Sequence, residues 1–511
     1  MPSFPNGPGV YVNETLNSNF SATTASGPAA VFFGVTPRGP VGAQLVTDWV
    51  TYKRLFGDLS DSYDLGYSVY HFFANGGRDA YVCRAVNSSD IIATGTMAYY
   101  PNGVGQASAA AATVTAVSEG TWGNGISVAT LNGVQQSGSD FTTFSLIVKY
   151  NGTEVERWPE VSLDPDSSRF FKTIINTYSD YIRITAAPAT DYSGQFGVEN
   201  DALTSGTTNS LVAADWSTAF DLIDTIKGSL TLNAVGITPG GDINSGIPVI
   251  TELVNKAQSR GDSFVIIDPD KGLTTYDAIV SSSANLGSQA HPGYCAHYAP
   301  CLLMVDPSKS GPGAVRATYP GGAIAGIMAR IDGRRTPAAA PAGITADVVG
   351  ALGLEAKLSD ANIGSLYQGT VQVNSFKAVP GAGVTVHGTR TLSRLTPDKF
   401  IPARRTLNYL KAELKSLTEF AVFEPNDNNL WGLISTVVSG FLTNFYQQGG
   451  LKGTSPAEAY YIICDETNNT PTTIDQGYVN IEVGVSLLYP AEYLVINISQ
   501  WNGGANSANS I

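Results

Sequence analysis

Three short runs constrain this chain more than any other feature. Ala29 to Val35 reads AAVFFGV, Ser263 to Asp268 reads SFVIID, and Cys301 to Asp306 reads CLLMVD. All three are apolar on successive positions rather than on alternate ones. A strand of that kind is buried on both faces, the condition of a parallel or mixed sheet with helices against each side. The intervening segments supply the helices. Thr47-Asp48 opens one that carries Val50, Leu55 and Phe56 and ends at Gly57. A second carries Leu65, Val69, Phe72 and Phe73 before Asn75-Gly76-Gly77 stops it, and Arg78 to Val86 returns as a strand. Asp215 to Ile226 and Pro248 to Ser259 read as helices with a strand, Thr231 to Ile237, between them. Gly322 to Asp332 reads as a small-residue helix.

Between residues 91 and 200 the texture changes to short β-branched and aromatic runs (Val114 to Val117, Ile126 to Leu131, Phe144 to Tyr150, Tyr181 to Thr185) with one helix near Ser168 to Tyr178. Toward the C-terminus, Leu407, Leu410, Leu414, Leu417 and Ala421 form an apolar stripe on one helix. Leu430, Ile434, Val437, Phe441 and Phe445 mark the next, ended by Gly449-Gly450. Two strands (Tyr460 to Cys464, Tyr478 to Leu488) and an extended segment (Tyr493 to Ser499) follow. The sequence therefore predicts a multidomain α/β and α+β chain: a mixed-sheet core, an inserted mostly-β domain, and extended N- and C-terminal arms. The expected divisions are an arm at 1–20, an α/β part of the core at 21–90, the β insertion at 91–200, the main α/β domain at 201–390, an α+β domain at 391–490 and a second arm at 491–511.

Charge narrows the function. Lys and Arg number 29 against 43 Asp and Glu, a net of −14, and charged residues make up 14% of the chain, against roughly 25% in an ordinary soluble domain. A net negative chain does not wrap nucleic acid, which needs clustered cations. A surface this poor in charge is suited to being covered by partners. Cys83, Cys295, Cys301 and Cys464 are too scattered for a disulfide framework and read as reduced thiols. The N-terminus lacks the basic and apolar regions of a signal peptide, and no window approaches the ~18 apolar residues of a membrane span.

Candidate chemistry is thin. His291, Cys295, His297 and Cys301 gather two imidazoles and two thiols, a donor set that suits Zn²⁺, but the H-x3-C-x-H-x3-C spacing is not that of a standard finger, and a packed strand entry is the expected reading. Gly261-Asp262-Ser263 resembles a hydrolase nucleophile block but precedes its strand instead of following it. His71, His291, His297 and His387 have no recognisable triad partners. There is no G-x-S-x-G elbow and no phosphate loop, since the chain contains no Gly-Lys pair. No cofactor and no metal are expected. Arg404, Lys411 and Lys415, with Asn408, line a second, basic stripe beside the apolar one. By default it is a solvated helix face, and in competition a docking surface for an acidic partner.

In order along the chain, several blocks resemble the contractile tail sheath proteins of bacteriophages. They include Pro8-Gly9-Val10-Tyr11-Val12; Phe33-Gly34 with Arg38-Gly39-Pro40; Phe72-Phe73-Ala74-Asn75-Gly76-Gly77-Arg78 with Ala80-Tyr81-Val82; and Gly120-Thr121-Trp122-Gly123-Asn124-Gly125. Further on come Ala329-Arg330-Ile331-Asp332, Arg404-Arg405, Phe423-Glu424-Pro425-Asn426 and Gly449-Gly450-Leu451. The resemblance implies a subtilisin-like sheath domain plus a sheath C-terminal domain, with no catalytic site. It implies a helical homo-oligomer around an inner tail tube protein, capped by baseplate and tail terminator proteins, assembled in the host cytoplasm and located in the virion tail. No direct nucleic-acid contact and no membrane insertion are implied. Strand exchange between copies would use Val10, Tyr11 and Val12 from the N-terminal arm and Leu494, Ile496 and Ile498 from the C-terminal one. Arg404, Lys411 and Lys415 would touch the tube. The same physics would serve a bacterial contractile injection particle. A serine or metal-dependent hydrolase is the alternative from another class.

Overall fold

The computed structural model describes residues 28–100, 110–132, 135–137, 140–141, 143–186, 195–196, 201–311, 313–396 and 398–492. Val10, Tyr11, Val12, Leu494, Ile496 and Ile498 lie outside them.

An eight-stranded mixed sheet forms the core. Its order is Ala43–Val46, Ala80–Arg84, Ala29–Gly34, Leu230–Ala234, Ser263–Ile267, Cys295–Tyr298, Val373–Val379 and Gly383–His387. The six inner strands pair in parallel, and each edge strand pairs antiparallel. Successive residues point to opposite faces, and both faces are apolar. Phe32, Phe264 and Ile266 enter one cluster with Leu65, Val69, Phe72, Ile324 and Met328. Val31, Phe33, Val265 and Ile267 enter another with Trp216, Phe220, Val249 and Leu253. Helices Asp64–Ala74 and Gly321–Asp332 therefore cover one side, and Ala213–Asp221 and Ile247–Arg260 the other. The expected punctuation is present: the Asp48 carboxylate accepts from the Thr51 amide at 2.8 Å to cap the Trp49–Phe56 helix, and Gly261 closes Ile247–Arg260 at φ 75°.

One of the three constraining runs lies elsewhere. Leu302–Val305 is not in the main sheet; it pairs antiparallel with Val315–Thr318 and Ala351–Leu354 in a separate three-stranded sheet. Leu302 and Met304 point into the core while Val305 is 48% exposed. The run is apolar throughout because its outward face is also apolar, not because it is doubly covered. The strand that takes its place in the main sheet is Cys295–Tyr298.

Between Arg84 and Ala213 the chain forms two four-stranded sheets around a shared core that includes Met97, Val114, Ile126, Leu146, Val148 and Ile182, with helix Phe171–Tyr178 packed on it. Arginines join this unit to the main sheet. Arg38 donates to the Asp180 carbonyl at 3.0 Å and lies 4.0 Å over the Tyr181 ring. Arg84, on the main sheet, donates to the Gly39 carbonyl at 3.1 Å and the Glu119 carbonyl at 2.9 Å. The last unit contains helices Ile401–Leu417 and Asn428–Gln447 and the antiparallel pair Tyr460–Ile463 with Glu482–Val485.

The small-residue helix follows from its neighbour. A Cβ on Gly322 would lie 2.0 Å from the Ser68 carbonyl oxygen, and one on Gly326 would lie 2.4 Å from that of Phe72. Two backbones touch, and neither can retreat without moving a strand. Gly322→Ala is expected to destabilise the protein by about 2–3 kcal/mol, the cost of overpacking a tight core. Gly364→Ala, in a helix with open space around it, is expected to be neutral or slightly stabilising. Urea midpoints of both variants check this.

Candidate assembly site

Helix Ile401–Leu417 begins in the core and ends in the C-terminal unit, and its first turns carry the contacts that join the two. Pro402 occupies an early position where its missing N–H costs nothing. The Arg405 guanidinium forms a two-bond pair with the Asp332 carboxylate, one bond at 3.2 Å, at the end of helix Gly321–Asp332. Burial pushes the Asp332 carboxyl upward while Arg405 pulls it down. One turn on, Asn408 donates to the Ser263 carbonyl at 2.7 Å, at the start of a central strand.

Arg404 corrects an expectation from sequence. It is buried, donates to Asp398 at 3.0 Å and Asn408 at 3.1 Å, and lies 4.5 Å over the Tyr294 ring. It belongs to the interior, neither to a solvated face nor to a surface a tube could reach. Apolar and basic stripes separated by one residue on a helix do not say which is the covered one. Here both are covered over the first turns, because the helix is wedged between two units. Lys411 is half-buried and Lys415 exposed.

Beyond the helix, the pair Tyr460–Ile463 and Glu482–Val485 rests on helix Asn428–Gln447 through Tyr460, Ile462, Val483 and Val485. Among the described residues this sheet has two strands, so each of them has an outer edge. An outer edge of such a small sheet is where a strand from another chain can add by main-chain hydrogen bonding. Phe423, in the turn between the two long helices, is 88% exposed and held at φ 71°, a conformation aromatic residues rarely adopt.

The catalytic and metal candidates are placed differently. His297 is buried in strand Cys295–Tyr298, with Nδ1 3.2 Å from the Ile267 carbonyl and Nε2 3.1 Å from the Ser283 hydroxyl. Burial holds it neutral and lowers its pKa to about 4. Cys295 and Cys301 are buried with their thiol pKa values pushed up, the opposite of an activated thiolate. Among the described residues, no three His, Cys, Asp or Glu side chains are grouped to hold a metal. Ser263 sits at the amino end of its strand and donates to Asp262 at 2.9 Å, whereas ligand sites of α/β sheets lie at the carboxyl ends. There the structure has Asp268, whose pKa is raised by burial to about 7. It accepts from Asn233 at 2.9 Å and from the Gly321 amide at 2.8 Å. That carboxyl ties two strands to a helix N-terminus.

Residues 398–500 match the family described as the phage tail sheath C-terminal domain. The tail sheath protein of Vibrio phage KVP40 is 26% identical over 193 residues, 37% of this chain and 27% of that protein. The chain thus aligns with about a quarter of the length of the curated relatives it matches. Over nearly the whole chain, the fold is that of the PVC sheath complex of an extracellular contractile injection system in its contracted state (TM-score 0.58, 19% identity, 98% of this chain and 99% of that one). It is also that of the sheath tail protein Lin1278 from Listeria innocua (TM-score 0.60, 12% identity, 88% and 90%). The matched C-terminal segment holds both the Arg405 anchor and the two-stranded sheet. Neither Arg405 nor Asp332 stood out as a pair in sequence, since 73 positions separate them.

A neutral buried imidazole makes stability depend on pH in a defined direction. His297 has a folded pKa near 4 against 6.5 for an ordinary imidazole, so the unfolded chain binds the extra proton between these values. The stability His297 supplies is complete above pH 6.5 and is lost as pH falls toward 4. The advantage of wild type over His297→Gln in urea midpoint is therefore expected to shrink across that window, on the order of 3 kcal/mol in all. A constant difference would contradict the assignment.

Proposed function

We propose that this chain polymerises in helical rows as the sheath of a contractile tail around an inner tail tube, and that sheath contraction drives the tube through a cell envelope for genome delivery. The observation that carries the reading is the sheet of two described strands, Tyr460–Ile463 with Glu482–Val485, which has an outer edge on each side and lies within residues 398–500, the segment matched to the tail sheath C-terminal domain. In this reading Val10, Tyr11 and Val12 of one copy and Leu494, Ile496 and Ile498 of another add strands to those edges, and the exchange links the copies into a mesh. Baseplate and tail terminator proteins would cap the polymer. Assembly would take place in the host cytoplasm, the product residing in the virion. The chain acts as a structural element and not as an enzyme, with contraction drawing on free energy stored at assembly. A contractile injection particle is the second reading, favoured by the likeness to the PVC sheath.

Charge placement supports association of copies. Residues 309–415 carry 14 Lys and Arg against 6 Asp and Glu, a net of +8. Residues 416–511 carry one Lys against nine Asp and Glu, a net of −8. Two oppositely charged stretches in one chain favour head-to-tail contact between copies, while the overall −14 opposes indiscriminate association. Exposed Phe423 adds an apolar contact for a neighbour to cover. Lys415 is the exposed cation of the long helix that an acidic tube surface would meet, with half-buried Lys411 one turn before it.

Deletion of residues 1–18 is expected to leave a folded monomer that no longer forms linked tubes in electron micrographs. Intact, linked tubes from the deleted protein would overturn the exchange reading. Lys415→Glu is expected to impair assembly templated by the inner tube while leaving the monomer's melting temperature unchanged. Normal templating would remove Lys415 from the tube contact.

A further inference from the structure

After strand Glu482–Val485 the chain does not stay with the two-stranded sheet. Leu487 is buried, and the Tyr489 ring lies 5.6 Å from that of Phe400 at the start of the long helix. Glu492 then reaches the edge of the main sheet. Arg390 donates to its two carboxylate oxygens, Nε to Oε1 at 2.9 Å and Nη2 to Oε2 at 2.5 Å. The side chains are 7% and 11% exposed. Tyr367 closes the arrangement: its hydroxyl donates to Glu492, its carbonyl accepts from Arg390 at 3.1 Å, and its ring lies 4.0 Å under the guanidinium. These bonds hold the Glu492 carboxyl in its charged form, below its ordinary pKa, against the effect of burial.

Arg390 is itself fastened at the backbone. Its amide donates to Asn374 Oδ1 at 2.8 Å, and Asn374 Nδ2 donates to the Arg390 carbonyl at 2.7 Å and the His297 carbonyl at 3.2 Å. Asn374 and His297 belong to neighbouring parallel strands of the main sheet. A continuous set of hydrogen bonds therefore runs from residue 492 into two inner strands.

We propose that the Arg390–Glu492 pair is the anchor of the C-terminal arm: it fixes Glu492, the residue from which that arm continues. In a polymer, tension on that arm then passes into the eight-stranded sheet and bypasses the two-stranded one. The proposal rests on the exchange reading above. A bidentate, stacked, nearly dry pair suits the task, because it resists displacement along the chain as well as separation. An exchanged arm rooted directly on the two-stranded sheet would pull on the same ribbon that receives a neighbour's strand. Rooting it on the core separates the element that gives a strand from the element that takes one.

The test uses the full chain with Arg390→Met/Glu492→Leu, which leaves no unpaired charge behind, and with Glu492→Gln, beside a chain shortened after Glu492. Polymerisation threshold is read by sedimentation and electron microscopy, and monomer melting is read below that threshold. The anchor predicts that the double variant melts near wild type but needs about tenfold more protein to polymerise, equivalent to 1.4 kcal/mol, with Glu492→Gln shifted in the same direction by less. If the shortened chain fails to polymerise while the double variant matches wild type, the anchor is wrong and arm exchange stands. If the shortened chain polymerises normally, arm exchange fails and the anchor with it. If the double variant melts lower and its threshold rises only in step with that loss, the pair is only a local brace, and the proposal is overturned.

Discussion

Arg405 and Asp332 meet out of water, and the arrangement of the molecule depends on that meeting. Removing one partner of such a pair leaves a buried charge without compensation, a cost of about 3–5 kcal/mol. The pair therefore holds helix Ile401–Leu417 against helix Gly321–Asp332 in one geometry, and Asn408 adds a bond to the first residue of a central strand. The C-terminal unit is in consequence an extension of the main sheet, not a separately tethered body. In the proposed polymer, a subunit that passes force between neighbours needs that stiffness.

Other joints use the same chemistry. Arg38 and Arg84 tie the β insertion to the core through carbonyl oxygens and an aromatic ring. Arg390 ties the chain's last described residue to the sheet edge. With Arg404 beside Arg405, five arginines of a charge-poor chain are buried at boundaries between units. The 14% charge content thus has two consequences. Few charges are left for solvent, and a notable share of the cations works inside as planar, multi-bond connectors, a role Lys could not fill.

Much of the fold was legible in sequence, for identifiable reasons. AAVFFGV and SFVIID announced doubly covered strands because a parallel sheet admits no polar face, and Asp48, Asn75 and Gly261 marked helix ends through local hydrogen bonding and backbone freedom. CLLMVD misled because periodicity cannot distinguish a doubly covered strand from one with an apolar outward face. The basic stripe misled for a related reason: Arg404 has the pattern of a surface residue, and only long-range packing against Tyr294 and Asp398 makes it internal. The assembly site was legible as two short strands. Its seat on helix Asn428–Gln447 and the Arg390–Glu492 anchor, with 102 positions between its partners, depend on contacts that no local pattern encodes.

The central claim is that copies of this chain complete one another's sheets. The most direct measurement is an electron cryo-microscopy reconstruction of the assembled polymer at a resolution that traces main chain. The account predicts two additional strands, contributed by other copies, flanking Tyr460–Ile463 and Glu482–Val485. A polymer in which both edges of that ribbon remain unpaired, with copies joined only through side-chain contacts, would contradict it.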